Sequence, residues 1–543
     1  MTNSIGGNIV DIHTKSIYPC EVLIQKGRII EIIKNNKTYH QFIIPGFVDS
    51  HIHVESSLLI PSGFAEVALT HGTIAAVSDP HEIANVCGLK GIEFMIENGN
   101  SVPFYFSFGV PSSVPSTKFE SNGAIIAAPQ IRYLFEKFNL SYLSEVMNYP
   151  NVISGDESTI SKIEIAKFFG KKVDGHAPDL TGLNLAKYAE YGIETDHECS
   201  TLNEAIEKIN LGFKILIREG SAARNFDSLA SLVDLFPNQV MLCTDDCHPD
   251  ILIKYHINDL IRRGLQKGLN LFNLLRAASL NPIVHYNIPA GLLRVNDSAD
   301  FTIIDDLENF NVLQTWIKGK PIFDFGDIHL KSKRIKKINN FYAKPISLDM
   351  LSVIAKSNAI RVINLKEDSL ITQQSIENIK IINGKVVPDI VNDILKLVVI
   401  NRYSEKSIPA IGFVKNFGMK YGAIASSISH DSHNIIAVGT NDNDLCSAIN
   451  LIINNKGGLV ASKDGISTFL ELEIAGLMTR QPARKVVEQL SRLNDLAKEY
   501  GCTLKAPYMS LSFLSLIVIP HLKLSDQGLF NVDSFSFTEL FID

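Results

Sequence analysis

The amino-acid sequence predicts an α/β fold: a (β/α)8 barrel of the TIM type, a small β-sandwich domain formed from both of its flanks, and a C-terminal α/β domain. Between residues 41 and 249, a short apolar run, one or two polar residues and a helix-length amphipathic stretch recur eight times. Eight alternations of strand and helix are typical of this barrel. The strand-rich stretches on either side are too short to be stable separately, so we expect them to pair with each other.

These patterns set the predicted domain limits. The composite β domain comprises 1–44 together with 290–330, the barrel spans 45–289, and the C-terminal α/β domain spans 345–543. The eight predicted barrel strands lie at 42–55, 73–79, 102–110, 142–149, 172–176, 192–197, 213–219 and 239–245. Stretches with apolar residues at helical spacing separate them, at 83–98, 158–169, 183–191, 201–211 and 225–236.

The flanks and the C-terminal region carry further strand patterns. Residues 21–33 read as strand, turn and strand, and 299–304 and 316–322 read as strands of the same small domain. In the C-terminal region we predict strands at 396–400 and 435–438 and a helix at 445–454.

Composition places the chain among ordinary globular proteins. Of its 543 residues, 45% are hydrophobic and 20% are charged, which is enough for two or three domains with separate cores. The formal net charge of −7 gives no broad positive field of the kind that binds phosphate backbones. A nucleic-acid partner is therefore not expected.

Targeting signals are not evident in the sequence. Its first residues lack the basic start and apolar run of a signal peptide, and no stretch reaches the roughly 20 apolar residues that a membrane span needs. The seven cysteines form no Cys-x-x-Cys pair, so neither a disulfide framework nor a zinc ribbon is indicated. We expect a cytoplasmic protein with no membrane partner.

His51 and His53 are the most informative residues of the chain. They end the first predicted barrel strand, and because side chains alternate along a strand, both project to the same face and can bind one metal ion. Taken alone, such a pair also fits two surface polar residues. The other strand ends therefore decide the interpretation.

Side chains of the same kind stand at the ends of four other predicted strands. In barrels of this type, function lies at the C-terminal ends of the strands. The residues found there, besides His51 and His53, are Glu145, His176, His197 and Asp245. Four imidazoles and two carboxylates at one rim are best explained by two divalent cations.

Each of these residues also has a structural explanation. A single strand-end histidine such as His176 or His197 is more often a hydrogen-bonded structural residue than a ligand. Asp245 could cap a helix, and Glu145 could be an ordinary surface carboxylate. Six such coincidences at one end of successive strands are much less probable than one shared site, so we favour the metal site.

Motifs along nearly the whole chain resemble the adenine deaminase family of the metal-dependent amidohydrolase superfamily. They are Pro-Gly-Phe-Val-Asp-Ser-His-Ile-His-Val-Glu-Ser-Ser at 45–57, Asp-Pro-His-Glu-Ile at 79–83, Glu-Val-Met-Asn-Tyr-Pro at 145–150, Asp-Gly-His-Ala-Pro at 174–178, Ile-Arg-Glu-Gly-Ser-Ala-Ala-Arg-Asn at 217–225 and Ser-His-Asp-Ser-His-Asn at 429–434. Many binuclear members of the superfamily carry a carboxylated lysine on strand four. The glutamate at this position, Glu145, resembles the adenine deaminases instead.

The resemblance implies hydrolytic deamination of adenine to hypoxanthine and ammonia, in which metal-bound hydroxide attacks C6. By resemblance, His51 and His53 hold one metal, His176 and His197 hold the other, Glu145 bridges them or lies on the hydroxide that they share, and Asp245 is a further ligand. The metals implied are Mn²⁺ or Fe²⁺, and the expected protein is a homodimer that acts in purine salvage.

The resemblance also suggests catalytic roles. Asp245 would take the hydroxide proton and pass it to the leaving amine, while Glu145 would deliver a proton to ring nitrogen N1, although the two roles could be exchanged. Candidates for hydrogen bonds to the purine are His81, Glu82, Glu219 and Ser221, for which helix capping or support of the metal ligands is an equal alternative. We do not assign His430 and His433 as ligands, because a structural loop or a lid over the barrel mouth explains them as well.

Two other functions compete with this one. One is a different binuclear amidohydrolase that opens a cyclic amide such as a dihydropyrimidine, against which Glu145 argues. The other is a non-catalytic scaffold, which would be expected to have lost ligands that this chain keeps. A Ser-His-Asp hydrolase is not supported, since no Gly-x-Ser-x-Gly elbow accompanies the letters at 429–431.

Overall fold

The computed structural model describes residues 2–138, 140–221, 223–331, 335–366 and 369–542. It divides into two compact units. The first comprises Met1–His81, Glu93–Ser113 and Ile126–Ile335, and the second comprises Glu82–Ile92, Val114–Ile125 and Lys336–Asp543. Among the described residues, none of the helices combines the length and the apolar character that crossing a bilayer requires.

The first unit contains all the strands predicted for the flanks and the barrel. They are β1 (Asn3–Asp11), β2 (Ser16–Gln25), β3 (Arg28–Lys34), β4 (Phe42–Pro45), β5 (Phe47–Ile52), β6 (Thr73–Ser78), β7 (Tyr105–Phe108), β8 (Tyr142–Val146), β9 (Lys172–Gly175), β10 (Thr195–Asp196), β11 (Lys214–Arg218), β12 (Val240–Cys243), β13 (Phe301–Ile304), β14 (Val312–Ile317), β15 (Lys320–Asp324) and β16 (Asp327–Ile328).

Strands from both flanks belong to one sheet. Its order is β16-β15-β14-β13-β4-β1-β2-β3, and β13 pairs antiparallel with β4, which joins the two flanks. Buried side chains from both flanks, including Val22, Ile43 and Phe301, form one hydrophobic cluster. The expected pairing of the flanks is therefore present.

Strands β5 to β12 are parallel and follow chain order. β5, β6 and β7 form one sheet, and β8 to β12 form another. Single bridges link Val110 to Leu143 and Ile52 to Asp245, so the two sheets meet at both edges. Every residue of β5, β6, β8 and β12 is buried, and the buried polar residues of β5 and β8 include His51 and Glu145.

The first predicted strand is two strands in the structure. Residues 42–55 were expected to form one strand, but β4 joins the flank sheet and β5 joins the parallel sheet. Gly46 separates them, and a Cβ atom there would lie 2.6 Å from the side chain of Ile74. The chain thus passes from one sheet to the other at a residue that has no room for a side chain.

Helices alternate with the parallel strands as predicted, and short ones connect their ends. They are α1 (Pro61–Thr70), α2 (His81–Cys87), α3 (Leu89–Gly99), α4 (Ala128–Phe138), α5 (Tyr149–Ser154), α6 (Glu157–Phe168), α7 (Gly182–Glu190), α8 (Leu202–Asn210), α9 (Phe226–Leu229), α10 (Leu232–Leu235), α11 (Pro249–Leu252), α12 (Ile257–Gln266), α13 (Leu271–Leu275) and α14 (Asn281–Tyr286). Side chains cap several of them: Asp156 accepts from the Thr159 amide at the start of α6, and Thr201 accepts from the Glu204 amide at the start of α8.

A fully buried lysine on α8 fixes the loop after β9. Nζ of Lys208 lies 2.7 Å from the carbonyl oxygen of Ala177, 2.8 Å from Oε1 of Glu204 and 3.2 Å from Oδ1 of Asp196. Burial favours the neutral amine, but the Asp196 charge and the Glu204 carboxylate raise the pKa of Lys208 above its ordinary value. The lysine therefore stays charged inside the first unit.

We expect Lys208→Met to destabilise the first unit by about 3–5 kcal/mol, since removing one partner of a buried ion pair leaves the other charges uncompensated. The measurement is the midpoint of urea unfolding followed by circular dichroism. Lys187→Met, at an exposed position of α7, is the matched control and should leave the midpoint unchanged. Equal midpoints for both variants would contradict the role of Lys208.

The second unit is built around a mixed sheet covered by a helix. Its strands are β17 (Val353–Ile354), β18 (Ala359–Asn364), β19 (Gln373–Asn378), β20 (Lys380–Ile382), β21 (Lys385–Val387), β22 (Ile394–Ile400), β23 (Ala410–Lys415), β24 (Ala423–Ser426), β25 (Ile435–Gly439), β26 (Gly458–Lys463), β27 (Ile466–Glu471), β28 (Leu522–Ser525), β29 (Gly528–Asn531), β30 (Ser536–Phe537) and β31 (Phe541–Ile542). Its remaining helices are α15 (Asp442–Asn455), α16 (Ala483–Glu499) and α17 (Pro507–Ser512).

The main sheet of this unit has the order β19-β18-β23-β22-β25-β24-β26-β27, with β31 also paired to β18. Residues of α15 such as Leu445, Ile449 and Ile452 pack in one buried cluster with Val398 and Ala437 of the sheet. The strands predicted at 396–400 and 435–438 and the helix predicted at 445–454 are confirmed as β22, β25 and α15.

Candidate metal centre

Glu145, at the end of β8, lies between two pairs of histidines. Its Oε1 is 3.2 Å from Nε2 of His53 and 3.9 Å from Nε2 of His51. Its Oε2 is 2.8 Å from Nδ1 of His176 and 3.3 Å from Nε2 of His197. One carboxylate oxygen thus faces each pair, which is the arrangement that a carboxylate bridging two cations requires.

The first histidine pair is buried and oriented. Nδ1 of His53 lies 3.2 Å from the carbonyl oxygen of Asp79, and a proton on Nδ1 would leave the Nε2 lone pair free for a cation. His51 is 1% exposed, and its Nε2 has no hydrogen-bond partner among the described residues. An orphaned buried ring nitrogen among carboxylates fits a metal ligand.

Asp245 faces the same pair from the end of β12. Its Oδ1 is 3.1 Å from Nε2 of His53 and 3.5 Å from Nε2 of His51. The backbone of Asp245 has φ +57°, and its N–H donates to the carbonyl oxygen of His51 at 2.9 Å. Asp and Asn adopt this left-handed conformation more readily than other non-glycine residues.

A second carboxylate, Glu198, accompanies the other histidine pair. Its Oε1 lies 3.5 Å from Nδ1 of His176 and 3.3 Å from Nε2 of His197. Sequence reasoning did not single out Glu198, although it directly follows His197. That adjacency is the signal that could have identified it.

Arg218, the last residue of β11, connects Glu198 to Asp245. Its Nη1 lies 2.5 Å from both Oε1 of Glu198 and Oδ2 of Asp245, and its Nη2 donates to Oε2 of Glu198 at 2.9 Å. The guanidinium binds Oδ2 of Asp245, so that Oδ1 is left to face the histidines. Arg218 belongs to the motif at 217–225, but the sequence alone indicated no role for it.

The charges of the centre are mutually compensated. Burial alone would raise the pKa of Glu145, but hydrogen bonds from His176, His197 and His53 hold it well below its usual value. In the same way, the Arg218 charge outweighs burial and keeps the pKa of Asp245 low. Both carboxylates are therefore anionic at neutral pH.

Four imidazoles and anionic carboxylates within contact distance form a donor set that suits divalent first-row metals. Ring nitrogens and carboxylate oxygens of the site fall into overlapping groups whose members lie within 4.8 Å of one another, among them His51 with His53 and Asp245, and His51 with Glu145 and His197. The residues present therefore fit the metal pair that the sequence predicts.

His81 lies at this centre, together with Asp79. Its Nδ1 is 3.1 Å from Oδ2 of Asp79 and 3.5 Å from Oε1 of Glu145. The Asp79 carboxylate also accepts the backbone N–H of His81 at 3.1 Å. Asp79 was part of a predicted motif but was not named as a site residue.

The other three candidate purine contacts are engaged elsewhere. Oε1 of Glu219 forms an ion pair with Nη1 of Arg263 at 2.7 Å, and Oγ of Ser221 accepts the backbone N–H of His248 at 2.8 Å. Glu82 belongs to the second unit and contacts His430 and His433 there.

Comparisons with known proteins indicate the family of the chain. A family model described as "Amidohydrolase family" matches residues 42–322, just over half of the chain, and one described as "Adenine deaminase C-terminal domain" matches residues 369–536. A protein named "Adenine deaminase" from Methanosarcina barkeri is 47% identical over 98% of both chains, and one of the same name from Methanosarcina acetivorans is 47% identical over 99% of both. A third, from Salinibacter ruber, is 45% identical over 99% of both. This chain belongs to the adenine deaminase family of the metal-dependent amidohydrolase superfamily.

Proposed function

We propose that this protein is an adenine deaminase, a hydrolase that converts adenine and water to hypoxanthine and ammonia. The observation that carries the proposal is the position of Glu145, with one oxygen toward each histidine pair. A glutamate on strand four distinguishes adenine deaminases from relatives that use a carboxylated lysine there. The relatives of that name match nearly the full length of the chain.

The proposed cofactor is a pair of divalent cations, Mn²⁺ or Fe²⁺. His51, His53 and Asp245 would hold one ion, His176 and His197 the other, and Glu145 would lie between them. Such a pair supplies hydroxide at neutral pH by lowering the pKa of water. Nitrogen and oxygen ligands of this kind accept either metal.

Two carboxylates would then move the protons that deamination requires. Asp245, whose Oδ1 faces the first histidine pair, would accept the proton of the attacking water and pass it to the leaving amine. Glu145, which is anionic at rest, would take up the other proton of that water and deliver it to N1 of the purine. Its hydrogen bonds to histidines on both sides fix the carboxylate in place for that transfer.

Among the candidate purine contacts, we retain His81, which lies beside Glu145. The ion pair of Glu219 and the backbone contact of Ser221 favour structural roles for these two residues.

The direct test is ammonia release and the ultraviolet change on adding adenine to Mn²⁺-loaded protein. We expect turnover of adenine but not of adenosine or a dihydropyrimidine, loss of activity after chelation, and recovery on adding Mn²⁺. Activity on the dihydropyrimidine alone would show that the protein is a cyclic-amide hydrolase instead. Inactivity toward adenine with two metals bound would overturn the substrate assignment.

The same proposal covers the architecture and the setting of the enzyme. We infer that β5 to β12 close as the (β/α)8 barrel, supported by their chain-order pairing and the bridges at both sheet edges. The domain limits at 1–44 with 290–330, 45–289 and 345–543, the β-sandwich, the homodimer, the cytoplasmic location and the role in purine salvage stay predictions.

Arg218→Met should lower kcat for adenine about 10- to 100-fold, because residues that orient metal ligands typically matter to that extent. We expect KM to change little, since Arg218 contacts Asp245 and Glu198. Arg218→Lys, which keeps the charge but not the two-pronged geometry, should recover part of kcat. Arg263→Met, which removes the partner of Glu219 instead, is the control; an equal loss there would argue for a general structural effect.

A further inference from the structure

A second group of metal-binding side chains lies within the second unit. Glu82 stands in the first turn of α2, and His430 and His433 lie in the turn between β24 and β25. Oε1 of Glu82 is 2.7 Å from Nδ1 of His430, and Oε2 of Glu82 contacts Nε2 of His433. One carboxylate oxygen thus faces each imidazole, and one ligand atom from each residue lies within 4.8 Å of the other two.

All three side chains are withdrawn from solvent. Glu82 is 2% exposed, His430 6% and His433 1%. Burying a carboxylate is costly unless charge or hydrogen bonds compensate it, and a cation bound between a carboxylate and two imidazoles supplies the opposite charge. Two histidine nitrogens and one glutamate oxygen form the ligand set of several three-ligand zinc sites.

The turn that carries the histidines is held in place by neighbours other than Glu82. The His430 ring stacks on Phe513 with centroids 4.5 Å apart, and the backbone N–H of His430 donates to Ser512 at 3.0 Å. Oγ of Ser429 lies 2.5 Å from Oγ of Ser515.

His433 has a backbone φ of +53°, in the left-handed region that few non-glycine residues adopt. Non-glycine residues in such conformations cluster at functional sites, where the surrounding structure maintains them. The imidazoles are therefore positioned in advance, as ligand side chains must be.

We propose that Glu82, His430 and His433 bind a divalent transition-metal ion, with Zn²⁺ the best match to this ligand set. The sequence motif Ser-His-Asp-Ser-His-Asn at 429–434 supplies two of the ligands, and the third comes from about 350 positions earlier in the chain. The proposal does not rest on the deaminase activity, because the ligands of the candidate catalytic centre all belong to the first unit.

The alternative is a site held by hydrogen bonds alone. The backbone N–H of Ser429 lies 3.4 Å from Nδ1 of His433, and a ring that accepts this N–H would direct its own proton from Nε2 toward Glu82. At 3.4 Å the Ser429 contact is longer than an ordinary hydrogen bond. Metal content distinguishes the two arrangements.

The test uses the full-length protein, stripped of metal, reloaded with excess Zn²⁺ and freed of unbound ion by gel filtration. We expect the double variant His430→Gln/His433→Gln to contain one equivalent of zinc per chain less than the unmodified protein. His521→Gln is the matched control, because His521 is a histidine of the second unit that pairs with Asp533 instead. It should keep the full zinc content.

Equal zinc content in the double variant and the unmodified protein would overturn the proposal. The Glu82 carboxylate would then be held by hydrogen bonds alone. A second measurement covers the case in which the double variant does not fold. Crystals of the unmodified zinc-loaded protein should give an anomalous difference peak among Glu82, His430 and His433 at the zinc absorption edge. A map with zinc at the first-unit histidines and no peak among these three residues would likewise overturn it.

Discussion

Replacing Glu145 by glutamine should lower kcat/KM for adenine by about 10³-fold or more, because the change removes the group that would take up and pass on a proton, and with it the carboxylate that faces both histidine pairs. Glutamine has nearly the same shape but carries no charge. An amide can present one oxygen to one pair but cannot serve both, so we also expect weaker binding of the second metal ion.

Steady-state assays with adenine, run beside metal analysis of the purified variant, test this expectation. Glu164→Gln provides the control, since Glu164 is an exposed residue of α6 whose partner is Lys167. Retention of a tenth or more of the activity by Glu145→Gln would show that the strand-four carboxylate is dispensable. That result would remove the main support for the proposed site.

Asp245→Asn should reduce kcat by about 10²- to 10⁴-fold, the range expected for the loss of a general base. Asparagine tolerates the left-handed backbone found at this position, so the hydrogen bond to His51 should survive. The neutral amide cannot take up the water proton, and it leaves the Arg218 guanidinium without one of its two anionic partners. The expected defect is therefore chemical and not a loss of folding.

The measurement is kcat as a function of pH, together with the unfolding midpoint of the variant. Asp246→Asn is a closely matched control, because Asp246 is the next residue and accepts a hydrogen bond from Ser56. Its kcat should stay within a few-fold of the unmodified enzyme. If both substitutions reduced kcat equally, the role assigned to Asp245 would belong to the loop as a whole.

Local pattern was sufficient to locate the eight parallel strands and the residues at their ends. Alternating strands and helices of ordinary length leave a strong periodic signal, and the strand ends His51, His53, Glu145, His176, His197 and Asp245 follow from it. The separation of β4 from β5 at Gly46 was not predicted. The need for a glycine there comes from Ile74, a residue of the neighbouring strand β6.

Local sequence pattern could not predict contacts between side chains that lie far apart in the chain. Arg218 and Glu198 meet because β10 and β11 are adjacent, and nothing in either stretch alone specifies that contact. Glu82 was one of the candidate purine contacts, with helix capping or support of the metal ligands as the alternative, and the structure pairs it with His430 and His433. Such contacts depend on tertiary geometry, whereas strand positions depend mainly on sequence periodicity.

The glycine between β4 and β5 also limits how this chain can diverge. Even a methyl group at position 46 would meet the Ile74 side chain, and the strand that would have to move carries His51. A side chain at this position would therefore displace a proposed metal ligand five residues away. In a library of random variants selected for growth on adenine, position 46 should be as intolerant of change as the histidines.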